Sequence, residues 1–219
     1  MNGNGHKKEQ NGWVKQGSSY LNNIDTCLDC GIKKVFIINH AVSLSELTSC
    51  FYTAKQYAPN LWIGINMLGV GAHYAVTAQF GRPSRLNQME HVLDGLWCDQ
   101  TITPQVALIR KFKGMLFGGV AFKYQPQPVD LKVACEEAKT LTNVATTSGV
   151  GTGKSAHPHK IKLMRSYLGD HPLAIASGIS SDNINDYLGI ANYLLVASSI
   201  TDDNEMIVKS KLQDLISKL

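Results

Sequence analysis

Residues 144–153, VATTSGVGTG, residues 173–179, LAIASGI, and residues 193–199, YLLVASS, are three short uncharged runs that each leave through small or hydroxyl residues. Such ends let backbone N–H groups and hydroxyls approach an anion without bulky side chains in the way. The runs are separated by segments of helical pattern, Lys160–Leu168 and Asp182–Leu188. Short apolar strands alternating with helices are expected where a parallel sheet is covered on both faces. In (β/α)8 enzymes the phosphate site lies at the loops after the last two strands. The trio therefore marks a phosphate site built from Gly149, Gly151, Thr152, Gly153, Lys154, Ser177, Gly178, Ser198 and Ser199.

The same alternation extends toward the N-terminus. Ser18 or Ser19 can cap a helix with Tyr20, Ile24, Cys27 and Leu28 on one face, closed by Gly31. Strand Val35–His40 follows. Ser43 and Glu46 have capping-box spacing ahead of Leu47, Phe51, Ala54 and Ala58, a second helix that stops at Pro59. Further strands are read at Trp62–Leu68, Gly95–Gln100 and Leu116–Gln125, with Thr103-Pro104 opening a helix that ends at Gly114. A helix near Asp130–Leu141, strand Val144–Ser148, strand Leu173–Ile179, strand Tyr193–Ser198 and a helix over 204–219 complete the order. With a longer and less regular segment between Leu68 and Leu93 counted among them, seven strands and eight helices fit a barrel or an open doubly wound sheet. The helix-first start favours a (β/α)8 TIM-type barrel whose first strand is missing, degenerate or supplied by Trp13–Gln16. Residues 1–17 read as a polar tail and 18–219 as one barrel domain.

Composition agrees with a large core. Of 219 residues, 44% are apolar and only 17% charged, against about 25% charged in typical soluble domains. No apolar run approaches the ~20 residues of a membrane span, and MNGNGHKKEQNG lacks the apolar stretch of a signal peptide, so a cytoplasmic protein is expected. The five cysteines are an odd number in a mid-sized chain and read as thiols. Cys27-x-x-Cys30 lies within a helical pattern and has no second ligand pair, so no metal is expected, and no cofactor is either. The net charge of +4 comes without a dense basic stripe or an aromatic RNA-binding motif, which argues against nucleic acid and suits a small phosphorylated ligand.

Ser148-Gly-Val-Gly-Thr-Gly-Lys-Ser155 invites a nucleotide-binding P-loop reading, which fails on two counts. Serine stands where the first glycine is required, and Ala156, His157 and Pro158 intervene before helical periodicity resumes. The stretches VATTSGVGTGKSA and KIKLMRSYLGDHPLAIASGISSDNINDYLGIANYLLVASSI instead resemble the C-terminal half of the BtpA/SgcQ family, phosphate-site (β/α)8 proteins of poorly defined chemistry. FIINH, WIGINMLG, GLWCDQ and GGVAFKYQ resemble that family's earlier strands, so the resemblance covers about residues 18–219. Family members open with a strand carrying polar residues at its end, and nothing before Ser18 matches it.

Catalytic groups in such barrels sit at the carboxyl ends of strands and point inward. If Val120, Phe122 and Tyr124 face the helices, Lys123 points into the barrel. Gly64 and Asn66 face inward on their strand, Asp99 shares a face with Trp97, and Asn39 or His40 ends the first visible strand. A lysine inside a barrel needs a carboxylate or a ligand anion, and Asp99 is its natural partner. The catalytic candidates are thus Lys123 and Asp99, with Asn66 and His40 orienting substrate. Two readings lead: an isomerase- or lyase-type enzyme acting on a sugar phosphate or nucleotide-like molecule, and a non-catalytic assembly or regulatory factor of the BtpA kind. A nucleotide-hydrolysing enzyme comes third. A homo-oligomer is expected if the N-terminal segment does not fill the gap left by the first strand.

Overall fold

The fold comes from a computed structural model that describes residues 19–38, 43–71, 93–100 and 112–219. Trp13–Gln16, His40 and the segment from Thr103 to Lys111 lie outside these residues. Seven strands are described: β1 (Lys34–Ile38), β2 (Trp62–Gly71), β3 (Gly95–Gln100), β4 (Met115–Gly119), β5 (Val144–Ser148), β6 (Leu173–Ala176) and β7 (Tyr193–Leu195). They form one parallel sheet in sequential order. The described helices are α1 (Ser19–Asp29), α2 (Leu44–Tyr57), α3 (Leu131–Leu141), α4 (Pro158–Leu168) and α5 (Lys209–Ile216). None of them is long and apolar enough to cross a membrane.

Local signals in the sequence account for several helix ends. The Ser43 and Glu46 capping box forms reciprocally at the start of α2, and Gly31 takes φ +76° just beyond α1, a conformation glycine adopts without penalty. Asp130 caps α3 through the amides of Lys132 and Val133. The expected helix near Asp182–Leu188 is only a 3₁₀ turn, Ile184–Asp186, and the last helix is shorter than residues 204–219.

The strands bury both faces. Ile63, Ile65 and Met67 of β2 with Leu96 and Cys98 of β3 pack against Leu47, Phe51 and Ala54 of α2. Ala145, Leu173 and Ile175 pack against Cys135, Ile161, Met164, Leu212 and Leu215 of α3, α4 and α5. Cys27 belongs to this second core, and burial pushes its thiol up to about 11, so it packs as an inert hydrophobe rather than a reactive group.

The inner face carries Phe36, Trp62, Trp97, Phe117 and Tyr193, and their contacts show that the sheet curls. In a flat sheet β1 and β4 are three strand spacings, about 14 Å, apart. Yet the Phe36 and Phe117 rings meet edge to face with centroids 5.0 Å apart. Phe117 and Tyr193, from β4 and β7, lie at 5.3 Å. Lys34 of β1 places its amine 5.2 Å from the Tyr193 ring of β7, and Asn23 of α1 bonds the backbone of Glu205 and Ile207 near α5. The first and last described elements are thereby brought together in a curled half-barrel.

One device recurs at the amino ends of the strands. Asp94, just before β3, accepts from the Ile63 amide of β2 at 2.7 Å. Asn143, before β5, accepts from Leu116 of β4 at 2.7 Å, and Asn192, before β7, accepts from Leu173 of β6 at 2.9 Å. Each satisfies a strand-initiating N–H that its own strand leaves unpaired. Asn192 also receives Arg165 Nη2 at 2.7 Å. Asn192→Ala should therefore lower the unfolding free energy by about 1–3 kcal/mol, measured by urea denaturation, while ligand binding at the opposite rim is unchanged.

Candidate anion site at the carboxyl rim

The site begins where β4 stops. The alternation of Val120–Gln125 predicts a continuing strand, but β4 ends at Gly119, because Ala121 and Tyr124 take φ values of +47° and +60° that no strand allows. Two consequences follow. Phe122 turns inward against Trp97, with centroids 6.0 Å apart, instead of facing the helices. Lys123 rises over the rim and is held from both ends: its amide donates to Ser148 Oγ at 2.8 Å, and Nζ donates to Ser177 Oγ at 3.0 Å and Thr152 Oγ1 at 3.2 Å.

The ends of β4, β5 and β6 are thus joined through one ammonium. Lys123 makes no ion pair with Asp99 or any other carboxylate among the described residues. Its amine sits instead on two residues of the expected phosphate site. Ser177, which receives it, has φ +73°, so three of the four described non-glycine residues in the left-handed region (Ala121, Tyr124 and Ser177) lie around this amine. Such conformations cost of order 1–3 kcal/mol each and persist only where the surroundings enforce them.

Lys160, in the first turn of α4, is part of that enforcement. Its amine donates to the carbonyl of Ala121 at 2.6 Å and to that of Ser148 at 2.9 Å, tying the strained β4 loop to the end of β5. Desolvation lowers its pKa from the ordinary 10.5 to about 8. A lysine three residues past an N-cap opposes the helix dipole, where glutamate or glutamine is favoured. That misplaced charge was the available sequence signal for a residue that strand-end reasoning passed over.

Tyr124 covers the next loop. Its hydroxyl donates to Thr152 Oγ1 at 3.3 Å and accepts from the Thr152 amide at 3.1 Å. Hydrogen bonding with the Thr152 side chain and amide pulls the exposed phenol below its ordinary pKa, with the nearby Lys123 charge a smaller influence. The amides of Gly151, Gly153 and Gly178 meet no acceptor among the described residues, and Lys154 stands exposed beside them.

The remaining phosphate candidates divide by role. A Cβ on Gly178 would collide with the backbone of Lys154 and Ser155, and one on Gly149 would collide with the same pair. Both glycines let the loop pack on itself, so substituting Gly178 would reshape the loop rather than only block a ligand. Ser199 Oγ donates to the Ile179 carbonyl at 2.6 Å, joining the β6 and β7 ends, and Ser198 is exposed. A depression of about 200 Å³ beside them is lined by Ser180, Asp182, Ser199, Lys211 and Asp214; its two carboxylates disfavour an anion. Helix α4 starts at Pro158 behind an N-cap at His157, whose Nδ1 accepts from His159. It begins too late to aim its amides at Gly153-Lys154 as a P-loop would.

Asn66 and Asp99 lie deeper, as their alternation predicted. Asn66 donates from Nδ2 to the Trp97 carbonyl at 3.2 Å. Burial raises the Asp99 pKa, opposed by the charge of Lys123 and a hydrogen bond from Asn66. Among the described residues no three His, Cys, Asp or Glu side chains gather as a metal site.

No protein-family model and no curated protein matches the chain. Solved structures do. Phosphoribosyl anthranilate isomerase from Thermus thermophilus superposes with a TM-score of 0.64 at 13% identity, over 90% of this chain and 92% of that one. A native KDPGal structure gives 0.67 at 13% identity, over 93% and 89%. A 4-hydroxy-2-oxoglutarate aldolase/2-deydro-3-deoxyphosphogluconate aldolase gives 0.62 at 12%, over 93% and 90%. The fold is therefore that of TIM-barrel-like proteins, and at these identities the likeness extends to the fold alone.

Lys160 sets a pH dependence whose sign is fixed. The unfolded chain keeps this proton to about 10.5, whereas the folded protein releases it near 8. Between these values the unfolded state binds more protons, so stability rises with pH, and below them the fold bears the cost of a desolvated ammonium. Urea unfolding should show the stability difference between wild type and Lys160→Met moving in favour of wild type from about pH 7 to about pH 10. A difference independent of pH would contradict the desolvation.

Proposed function

We propose that this chain binds a phosphorylated small molecule at the carboxyl rim and acts on it as an isomerase- or lyase-type enzyme. The carrying observation is the convergence of Lys123 on Thr152 and Ser177 within a ring of left-handed residues, above a buried carboxyl group. Gly151, Gly153 and Gly178 supply amides, Lys154 a second cation, and Ser198 and Ser199 the far wall. Strain concentrated at one rim of an otherwise regular sheet is characteristic of functional sites.

The names of the matched structures support the substrate class, since they refer to phosphoribosyl anthranilate and a phosphogluconate. One of the structures holds a reduced deoxyribulose 5-phosphate compound. In this reading Asp99, whose raised pKa keeps a proton available nearer neutrality, is the acid/base group. Lys123 holds developing negative charge or serves as a nucleophilic amine, and Asn66 and His40 orient the substrate. An eighth strand, between β7 and β1, would complete the barrel. It would come from the residues before Ser19 or from a second copy of the chain, which would make the protein a homo-oligomer.

The TSGVGTGK and ASGI segments, shared in pattern with the BtpA/SgcQ family, favour a second reading in which the barrel binds the same ligand as a non-catalytic assembly or regulatory factor. Borohydride trapping and turnover with a panel of sugar phosphates separate the two. Both readings require the anion site. Lys123→Met should weaken inorganic phosphate binding about 10- to 100-fold, the worth of a charge-assisted hydrogen bond, measured by phosphate-induced rise in melting temperature. Unchanged binding would place the anion elsewhere.

A further inference from the structure

Among the described residues, four buried polar atoms have no hydrogen-bond partner: Asn66 Oδ1, Trp97 Nε1, Asp99 Oδ1 and Thr146 Oγ1. In native proteins about nine in ten buried polar groups are paired, so a set of exceptions calls for a cause. These four are not scattered. Asn66 stands opposite Trp97 in the β2–β3 register, and Asp99 lies two residues along β3 on the same face. Cys98 pairs with Gly118, and Gly119 with Thr146. Asp99, Gly119 and Thr146 therefore form one inward row, in which glycine at the middle position lets the Asp99 backbone approach where a Cβ would collide with it. Ala174 continues the row beyond Thr146, so the row next to Phe117 carries small and polar side chains.

We propose that this inward row is a subsite for the hydroxylated carbon chain of the ligand, so that the molecule bound is a polyol or sugar phosphate. The inference rests on the anion site proposed above, which places the phosphate at Lys123 over the same opening. The atom types choose the occupant. Asn66 Oδ1 can only accept, Trp97 Nε1 can only donate, and the Thr146 hydroxyl does either. An ionised Asp99 accepts, and with burial raising its pKa it can also donate when protonated. Hydroxyl groups answer all four because each both donates and accepts. A carboxylate would face two acceptors, and an alkyl chain would leave every group unpaired at a cost of about 1–3 kcal/mol each. Asn66 and Thr146 are fully buried and Asp99 is 8% exposed, so a ligand reaching them is itself largely withdrawn from water.

The test compares inorganic phosphate, a pentose 5-phosphate and pentyl phosphate by calorimetry on wild type and Thr146→Val. Valine keeps the shape and removes the unpaired hydroxyl, so the unliganded melting temperature should stay level or rise. Wild type should bind the pentose phosphate at least tenfold more tightly than pentyl phosphate. Thr146→Val should lose most of that preference while binding inorganic phosphate as before. Equal affinity for the two organic phosphates, with inorganic phosphate still bound, would overturn the hydroxyl subsite and leave the anion site standing. A marked fall in the melting temperature of Thr146→Val would show that water or the protein already satisfies the hydroxyl, and would also overturn it. Failure of all three to bind wild type would overturn both.

Discussion

Everything at the rim depends on how the aromatic rings of the inner face meet. Phe36, Trp97 and Phe117 come from three different strands, and Phe36 contacts both of the others edge to face. Each such pair adds about 0.5–1.5 kcal/mol beyond burial, but the geometric effect matters more. Rings from strands that a flat sheet holds far apart can touch only if the sheet curls. Gly64 and Gly95 permit this, since a Cβ at either would run into the Phe36 or Trp62 ring. The aromatic layer fills the amino half of the curled sheet, and apart from Phe122 the inner face toward the carboxyl rim carries small and polar residues.

That division is why strain can be tolerated at the carboxyl rim. The strand-initiating amides at the other rim are satisfied by Asp94, Asn143 and Asn192, so the sheet is anchored where no ligand is expected. At the carboxyl rim, Lys160 fixes the Ala121 carbonyl and Ser199 fixes that of Ile179. A half-buried lysine with no carboxylate partner is a poor stabiliser. Its value lies in orientation, because the loop it pins carries Lys123.

The strand count was legible because each of the seven strands is a short apolar run, and burial on both faces leaves little else that such a run can be. Alternation also placed Asn66 and Asp99 on the inner face correctly. The same rule failed at Val120–Gln125, where bulky and small residues still alternate but Ala121 and Tyr124 adopt left-handed conformations. Alternation reports burial and is blind to φ. It therefore sent Phe122 outward and Lys123 inward along a strand that had already ended. The partners of Lys123 are 29 and 54 residues away, and no local pattern could name them. Lys160 was hidden for a related reason: its partners are backbone carbonyls, which carry no residue identity to read.

The separation of Lys123 from Asp99 has a chemical consequence. Had the two formed a buried ion pair, each would have neutralised the other, and an arriving anion would have had to break that pair at a cost typically of about 3–5 kcal/mol. Here the ammonium is held by neutral hydroxyls of Thr152 and Ser177, which orient it without cancelling its charge. Asp99 keeps one oxygen unpaired and, being desolvated, has a raised pKa. In the proposed function, a cation that meets the ligand's anion would therefore stand above an acid that exchanges a proton. Because the Lys123 charge opposes the rise in the Asp99 pKa, a bound phosphate that offsets that charge would raise it further. Ligand binding would then ready Asp99 to hold a proton, coupling occupancy of the rim to acid chemistry beneath it.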